Sequence, residues 1–263
     1  MNPKRVFAIF LRQAYLYRRS FPRLLEVFYW PTMDILLWGF VSIYLQKSST
    51  GLPGFVAFFL GALILWDILF RAQQGITVSF LEDMWARNLL NIFVTPLKIN
   101  EYICGLLLVS VLKVIISFSV MSVLAGLLYS FNIFKLGVML IPLIINLVAM
   151  GWALGILTTG FILRFGQEAE VLAWAVAFLF MPFSAVFYPV DVLPPVIKTI
   201  SFFIPASHVF EGMRTLINSD GFPSRELIIA TILNVVYLSV ALIVFKLTYR
   251  KVLKDGLIPK IGE

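Results

Sequence analysis

The stretch Ile103-Cys-Gly-Leu-Leu-Leu-Val-Ser-Val-Leu-Lys-Val-Ile-Ile-Ser-Phe-Ser-Val-Met-Ser-Val-Leu-Ala-Gly-Leu-Leu128 holds one charged side chain, Lys113. A bilayer core about 30 Å thick takes roughly 20 apolar residues as helix, at about 1.5 Å per residue. This stretch is therefore long enough to cross. Outward from it lie five more of the same kind, approximately Val27 to Leu45, Phe55 to Val78, Leu136 to Leu163, Val171 to Tyr188 and Leu227 to Tyr249, each closed by polar, Gly or Pro residues. Hydrophobic residues make up 60% of the 263-residue chain and charged residues 13%, against about 45–50% and about 25% in soluble domains. A globule of this size has no interior large enough for that surface. The expectation is an all-α integral membrane protein of six transmembrane helices forming one domain over residues 1–263.

Twenty-one Lys and Arg against 14 Asp and Glu give a net charge of +7. With the spans alternating, one side collects Lys4, Arg5, Arg12, Arg18, Arg19, Arg23, Arg71, Arg87, Lys98, Arg164, Lys246, Arg250, Lys251, Lys254 and Lys260. The other holds only Lys47, Lys135, Lys198, Arg214 and Arg225. The positive-inside rule then puts both termini in the cytoplasm, and the charge reports orientation in a cell (inner) membrane, not a nucleic-acid partner. The start of the chain is too polar for a signal peptide and no Ala-x-Ala-like site follows span one, so the N-terminus is expected to be retained. Cys104 is the only cysteine, which excludes an intrachain disulfide and a Cys/His metal cluster.

Three shorter segments are neither spans nor plain loops. In residues 1–22 the cations Lys4, Arg5, Arg12, Arg18, Arg19 and Arg23 fall within an arc of roughly 140° at 100° per residue, and Val6, Phe7, Phe10, Ala14 and Tyr17 gather opposite. That is the pattern of an interfacial amphipathic helix, its basic face toward anionic headgroups of the lipid bilayer until Pro22 ends it. Residues 79–97 read as a helix lying flat at the cytoplasmic surface. Leu81, Trp85, Leu89, Ile92 and Phe93 share one face, Asp83, Arg87, Asn88 and Asn91 the other, and Pro96 closes it. Asp83 and Arg87 have the favourable acid-first i, i+4 order. Residues 189–214 have apolar runs too short to cross, and Pro189, Pro194, Pro195 and Pro205 interrupt any continuous helix. Two short helices re-entering from the outer face fit better, and such an element caps or lines a pathway.

Chemistry is sparse. No Gly-x-x-x-x-Gly-Lys-Ser/Thr and no Gly-x-Gly-x-x-Gly occurs, so the chain has no recognisable phosphate cradle and is not expected to be an enzyme, to bind a cofactor or to be its own ATPase. His208 is the only histidine, and with Glu211 it falls short of the three or four ligands a zinc site needs; no metal is expected. No serine stands in Gly-x-Ser-x-Gly context. The ionisable groups inside spans are pathway candidates. Counted from the cytoplasmic ends, Asp34 lies about 10 Å deep, Asp67 about 16 Å and Lys113 about 15 Å, close enough in depth to meet. The structural alternative has Asp67 paired with Arg71 on its own helix and Lys113 neutralising a neighbour.

Phe187-Tyr-Pro-Val-Asp-Val-Leu-Pro194 leading to Ile204-Pro-Ala-Ser-His-Val-Phe-Glu-Gly-Met-Arg214 resembles the Tyr-Pro…Leu-Pro…Asn-Pro…His…Arg signature of ABC-2 type exporter permeases, with Ile204 in place of Asn. Leu89-Leu-Asn-Ile-Phe-Val-Thr-Pro-Leu97 is similar to that family's Leu-Leu…Thr-Pro-Leu coupling segment, with Met84 and Trp85 where Gly-Thr often stands. The resemblance covers essentially the whole chain. It implies the membrane subunit of an ATP-binding cassette exporter, paired with a second copy of itself or a homologous permease. It further implies a separate ATPase subunit that holds ATP and magnesium and contacts Glu82, Asp83, Arg87, Asn88 and Asn91. Tyr188, Asp191, His208, Glu211 and Arg214 would form an external gate, and the substrate would be a glycan, a lipid-linked molecule or another amphipathic one. The competing expectations are an ion-coupled secondary transporter using Asp34, Asp67 and Lys113, for which no inverted repeat is visible, and a membrane enzyme or assembly factor without transport.

Overall fold

The computed structural model describes residues 1–48, 55–219 and 221–255; Lys260, counted above on the basic side, lies outside them. Among the described residues every regular element is helical: α1 (Pro3–Arg19), α2 (Phe21–Ser48), α3 (Phe55–Trp85), α4 (Leu89–Val94), α5 (Ile99–Tyr129), α6 (Leu140–Phe165), α7 (Leu172–Phe180), α8 (Pro195–Phe202), α9 (Pro205–Ser219) and α10 (Ser224–Lys254). Five helical stretches, Phe21–Lys47, Val56–Trp85, Ile99–Tyr129, Ile133–Ala169 and Ser224–Lys254, are long and apolar enough to cross a membrane.

The fifth expected span differs. Its regular helix stops at Phe180, a 3-10 turn covers Pro182–Ser184, and Ala185 is left-handed at φ 51°. Pro182 has no N–H for the ladder, so the helix cannot continue through it. The segment still travels the length of the bundle. Glu170 meets Trp85, the Gln73 amide reaches the Ala173 carbonyl, Phe178 packs on Phe70, and Phe187 stacks on Phe59. Its register thus runs antiparallel to α3. The others alternate in the same way: α5 is antiparallel to α3 through Asp67 with Ser117 and Asp83 with Tyr102. α6 is parallel to α3, with Gly151 against Leu69 and Ala72 and Gly155 against Gln73 and Ile76. α10 is parallel to α6, with Asn234 on Asn146 and Phe245 beside Gly160.

α3 is the central strut, with 78% of its most apolar window buried against 22% in α2 and 17% in α10. The contact of α3 with α6 is a backbone approach. A Cβ on Gly151 would sit 2.6 Å from the Leu69 carbonyl oxygen, and one on Gly155 3.0 Å from that of Gln73. Gly151-Trp-Ala-Leu-Gly155 is the small-xxx-small pattern that lets apolar helices close on one another. Side-chain amides stitch the neighbouring seams: the Asn234 Nδ2 donates to the Asn146 carbonyl and Oδ1, both at 2.9 Å, and the Trp152 indole donates to Ser110 at 2.7 Å.

Two helix boundaries depart from expectation. α1 ends at Arg19, where Ser20 turns extended, and Pro22 opens α2 instead of closing α1; a proline is tolerated in a first turn, where its missing N–H has no partner to lose. Residues 79–97 are not one flat helix. Ser79–Trp85 is the last two turns or so of α3, and α4 is a separate short helix after a sharp turn.

Candidate functional site: the basic elbow and the capped end

At the end of the bundle where the basic residues gather, α3 stops in a Schellman motif. The Asn88 N–H donates to the Asp83 carbonyl and the Arg87 N–H to the Met84 carbonyl, both at 2.9 Å, with Arg87 left-handed at φ 52°. Glycine usually fills that position because a Cβ there costs about 1–2 kcal/mol; here it is an arginine. Beyond it α4 buries Leu89 and Ile92 and sets Phe93 against Tyr102 and Tyr249, so this part of the expected apolar face does meet the bundle. Trp85, expected on the same face, is instead 47% exposed, and its indole donates to Glu170 at 3.0 Å. Arg87, Leu90, Asn91 and Val94 are exposed and Asn88 half-buried.

Asp83, expected on the polar face beside Arg87, and Glu82, expected with it to contact the ATPase subunit, are buried. Asp83 pairs with Arg12 and accepts from the Tyr102 hydroxyl at 2.7 Å; Glu82 pairs with Arg23 at 3.0 Å. Both therefore face α1 and the start of α2, and the anticipated Asp83–Arg87 surface pair gives way to a desolvated partner from the N-terminal helix. At the start of α5, Glu101 accepts from the Asn2 and Lys98 N–H groups at 2.7 and 3.0 Å and pairs with Arg5 at 3.5 Å. α1 is thus clamped onto α3 and α5. Arg5, Arg12 and Arg23 meet protein carboxylates where headgroups were expected, whereas Lys4, Arg18 and Arg19 stay exposed.

The three intramembrane charges do not converge. Asp67 accepts from Arg71 Nε at 3.1 Å and from the Ser117 hydroxyl, a buried set within α3 and α5. Asp34, half-buried on α2, lies within electrostatic range of Asp67 and Arg71. Lys113 turns the other way, its ammonium 4.6 Å from the centre of the Tyr17 ring. The structural pairing of Asp67 with Arg71 is what forms, and no relay joins all three.

At the opposite end α7 breaks and its carbonyls need donors. Arg214 of α9 supplies them. Its Nη2 donates to the carbonyls of Ala185, of Val186 at 3.2 Å and of Tyr188 at 2.6 Å, while Nη1 binds Glu211 at 2.8 Å. Glu211 also accepts from the Val190 N–H at 2.7 Å, and the guanidinium lies over Phe58. His208 bridges Glu226 at 2.5 Å and the Phe202 carbonyl at 2.8 Å, tying α8, α9 and α10 together. The Tyr188 hydroxyl closes on the Pro182 carbonyl at 2.6 Å, and Asp191 pairs with Lys198 on the surface. Four of the five residues expected at an external gate, Tyr188, His208, Glu211 and Arg214, hold one cap; Asp191 stands at its rim. Val190, Lys198, Phe202, His208, Glu211 and Glu226 are among the residues lining a cleft of about 900 Å³ beside it.

Residues that spacing did not flag include Arg12 and Arg23 as carboxylate partners, Ser117 on Asp67, and Gly151 with Gly155. The last pair was visible as a small-xxx-small motif in an apolar run; the others depend on tertiary contacts.

Among the described residues, regular structure that is all helical, five long apolar helices, an alternating helix register, a folded cap at one end and an exposed elbow at the other mark a multi-pass membrane protein. The family model of the ABC-2 family transporter protein matches residues 38–247, most of the chain, and the protein belongs to that family: it is the permease of an ABC transporter. Among curated proteins no sequence matches it significantly.

Proposed function

We propose that this chain is one half of the membrane channel of an ATP-driven exporter. Two permeases pair, each with six passes and both termini in the cytoplasm of a cell with the complex in its inner membrane, and a separate ATPase subunit holding ATP and magnesium docks on the elbow. The observation that carries this reading is Arg87. A non-glycine residue held left-handed at an exposed turn costs free energy that a glycine there would save, and such strain persists where the side chain has a task. Arg87 presents its charge beside exposed Leu90, Asn91 and Val94, a mixed apolar and basic knob of the kind a partner groove accepts.

Glu82 and Asp83 act through the clamp on α1, so the contact set contracts to Trp85, Arg87, Asn88, Leu90, Asn91 and Val94. Trp85 joins that knob to Glu170 at the start of α7, so a displacement of the elbow when the ATPase subunits close is passed to the broken span and the Arg214 cap. The antiparallel course of residues 170–187 along α3 supports counting this segment as the fifth pass, and the α8–α9 pair as the outer re-entrant element. The substrate is a glycan, a lipid-linked or another amphipathic molecule moved outward.

Coexpression with candidate ATPase subunits tests the reading. The wild type recruits one of them and supports vanadate-sensitive export, and R87E abolishes recruitment while the permease stays folded. Recruitment unchanged in R87E, or export that ignores vanadate and follows a proton gradient, would refute it.

A further inference from the structure

A second site lies on the flank of the bundle. Between α1, α2 and α5 is a pocket of about 240 Å³, lined by Ala14, Tyr17, Arg18, Leu24, Val27, Phe28, Val109, Leu112, Lys113 and Ile116. Its walls are aliphatic and aromatic apart from the two cations and the Tyr17 hydroxyl. Lys113, 8% exposed, lines it from α5, and exposed Arg18 lines it from α1. The Lys113 ammonium forms no ion pair with any described carboxylate. The carboxylates acting on it are those of Glu82 and Glu26, and Glu82 is already engaged by Arg23 at 3.0 Å. A largely buried lysine whose ammonium has no ion-pair partner of its own is costly, and an anion beside it lowers that cost.

We propose that this pocket holds an acidic phospholipid, its phosphate between Lys113 and Arg18 and one acyl chain against Leu24, Val27, Phe28, Leu112 and Ile116. The volume falls below the roughly 300–1,000 Å³ of sites that enclose a drug-sized ligand and suits the upper part of one chain with the remainder lying in the bilayer. A free phosphate leaves the apolar walls uncovered, and a zwitterionic headgroup brings a cation next to Lys113 and Arg18, with exposed Arg19 the next residue along α1. An anionic headgroup meets the same residues with attraction. The lipid fastens the outer side of α1, whose other side is held by Asp83 and Glu101, so the helix is fixed by protein carboxylates on one flank and by a membrane component on the other.

Native mass spectrometry of the full-length chain, released from bilayers with equal phosphatidylglycerol and phosphatidylcholine, tests this. The wild type keeps a phosphatidylglycerol adduct in preference to phosphatidylcholine. K113Q lowers that preference about tenfold, equivalent to about 1.4 kcal/mol, K113R preserves it, and L112W, which fills the pocket with Lys113 intact, removes the adduct. Adducts in the bilayer ratio for the wild type, or a phosphatidylglycerol adduct that survives L112W, would overturn the proposal, as would inorganic phosphate displacing the lipid from wild type. Should K113Q not yield folded protein, L112W alone decides.

Discussion

At the basic end of the bundle three arginines, Arg5, Arg12 and Arg23, each meet a different carboxylate, Glu101, Asp83 and Glu82. At the opposite end one arginine, Arg214, serves three backbone carbonyls and Glu211 at once. The first arrangement is distributed: α1 is attached at several points, and the loss of one leaves the others. The second is concentrated, because the carbonyls it satisfies exist only where Pro182 and the left-handed Ala185 interrupt α7. Each of these buried carboxylates keeps another donor when its arginine goes: the Tyr102 hydroxyl on Asp83, the Asn2 and Lys98 N–H groups on Glu101 and the Tyr17 hydroxyl on Glu82. The three carbonyls at the helix break all take Arg214 as their donor, so the capped end depends far more on a single residue than the basic end does.

The largest expected effect follows from that asymmetry. R214A leaves three carbonyls, two of them on the buried residues Ala185 and Val186, without donors, at about 1–3 kcal/mol each. We expect the purified permease to lose at least about 3 kcal/mol, read as a fall in its thermal midpoint in detergent. R214K recovers only part of this, since an ammonium lacks the planar fork that reaches several acceptors. Full recovery by lysine would show that charge, and not the guanidinium geometry, holds the cap.

The distributed end gives smaller single losses. R12A removes the partner of buried Asp83, which keeps the Tyr102 hydroxyl, and should cost about 1–3 kcal/mol. The triple variant R5A/R12A/R23A should release α1 altogether, exposing the bonds after Arg18 and Arg19 to trypsin within minutes while α3 and α5 stay protected. If the triple variant resists trypsin as the wild type does, α1 is held by its apolar face of Val6 and Ile9 and the ionic clamp is incidental.

The same comparison explains what the sequence allowed to be read. Span positions and alternation followed from apolar runs of about 20 residues, and the helix directions agree with them. Pro189 also marked the end of the fifth span near Tyr188, whereas Pro182 lay unremarked inside the expected span, which the structure breaks there. What spacing could not supply was the identity of distant partners. Asp83 and Arg87 have surface-pair spacing, yet Asp83 takes Arg12, 71 positions away, because a carboxylate at a packed helix end favours a cation brought by the helix that covers it. The end of α3 was equally hidden: the residue in the left-handed position is Arg87, and with no glycine to punctuate it the apolar period runs on from Leu81 to Phe93. Lys113 was placed by depth alone, whereas its long stem carries the ammonium toward α1.

Arg87 offers a prediction of intermediate size in which stability and function separate. R87G removes the left-handed strain and should raise stability by about 1 kcal/mol, while deleting the charge offered to the ATPase and so weakening its recruitment. Stability up and recruitment down together would mark a residue kept at the elbow for its side chain. If R87G instead destabilises the permease, the arginine is holding the turn itself, and the basic end contains a concentrated support after all.

The smallest effect belongs to the rim of the cap. Asp191 is fully exposed, and the hydrogen bond from Lys198, with its charge, holds the carboxyl below the ordinary carboxylate value. A carboxyl depressed in the folded state contributes stability above its unfolded value of about 3.9, and that contribution is lost as pH falls through the folded value. An exposed pair is screened, so D191N should leave the thermal midpoint at pH 7 within the scatter of the wild type, and the two proteins should converge completely in acid. The part of the R214A loss that comes from the three carbonyls should persist in acid, because a backbone carbonyl does not titrate there. A D191N midpoint that falls as far as that of R214A would mean that the α8 rim, and not the caged carbonyls, closes the end of the bundle, and the contrast between the two ends would have to be drawn the other way.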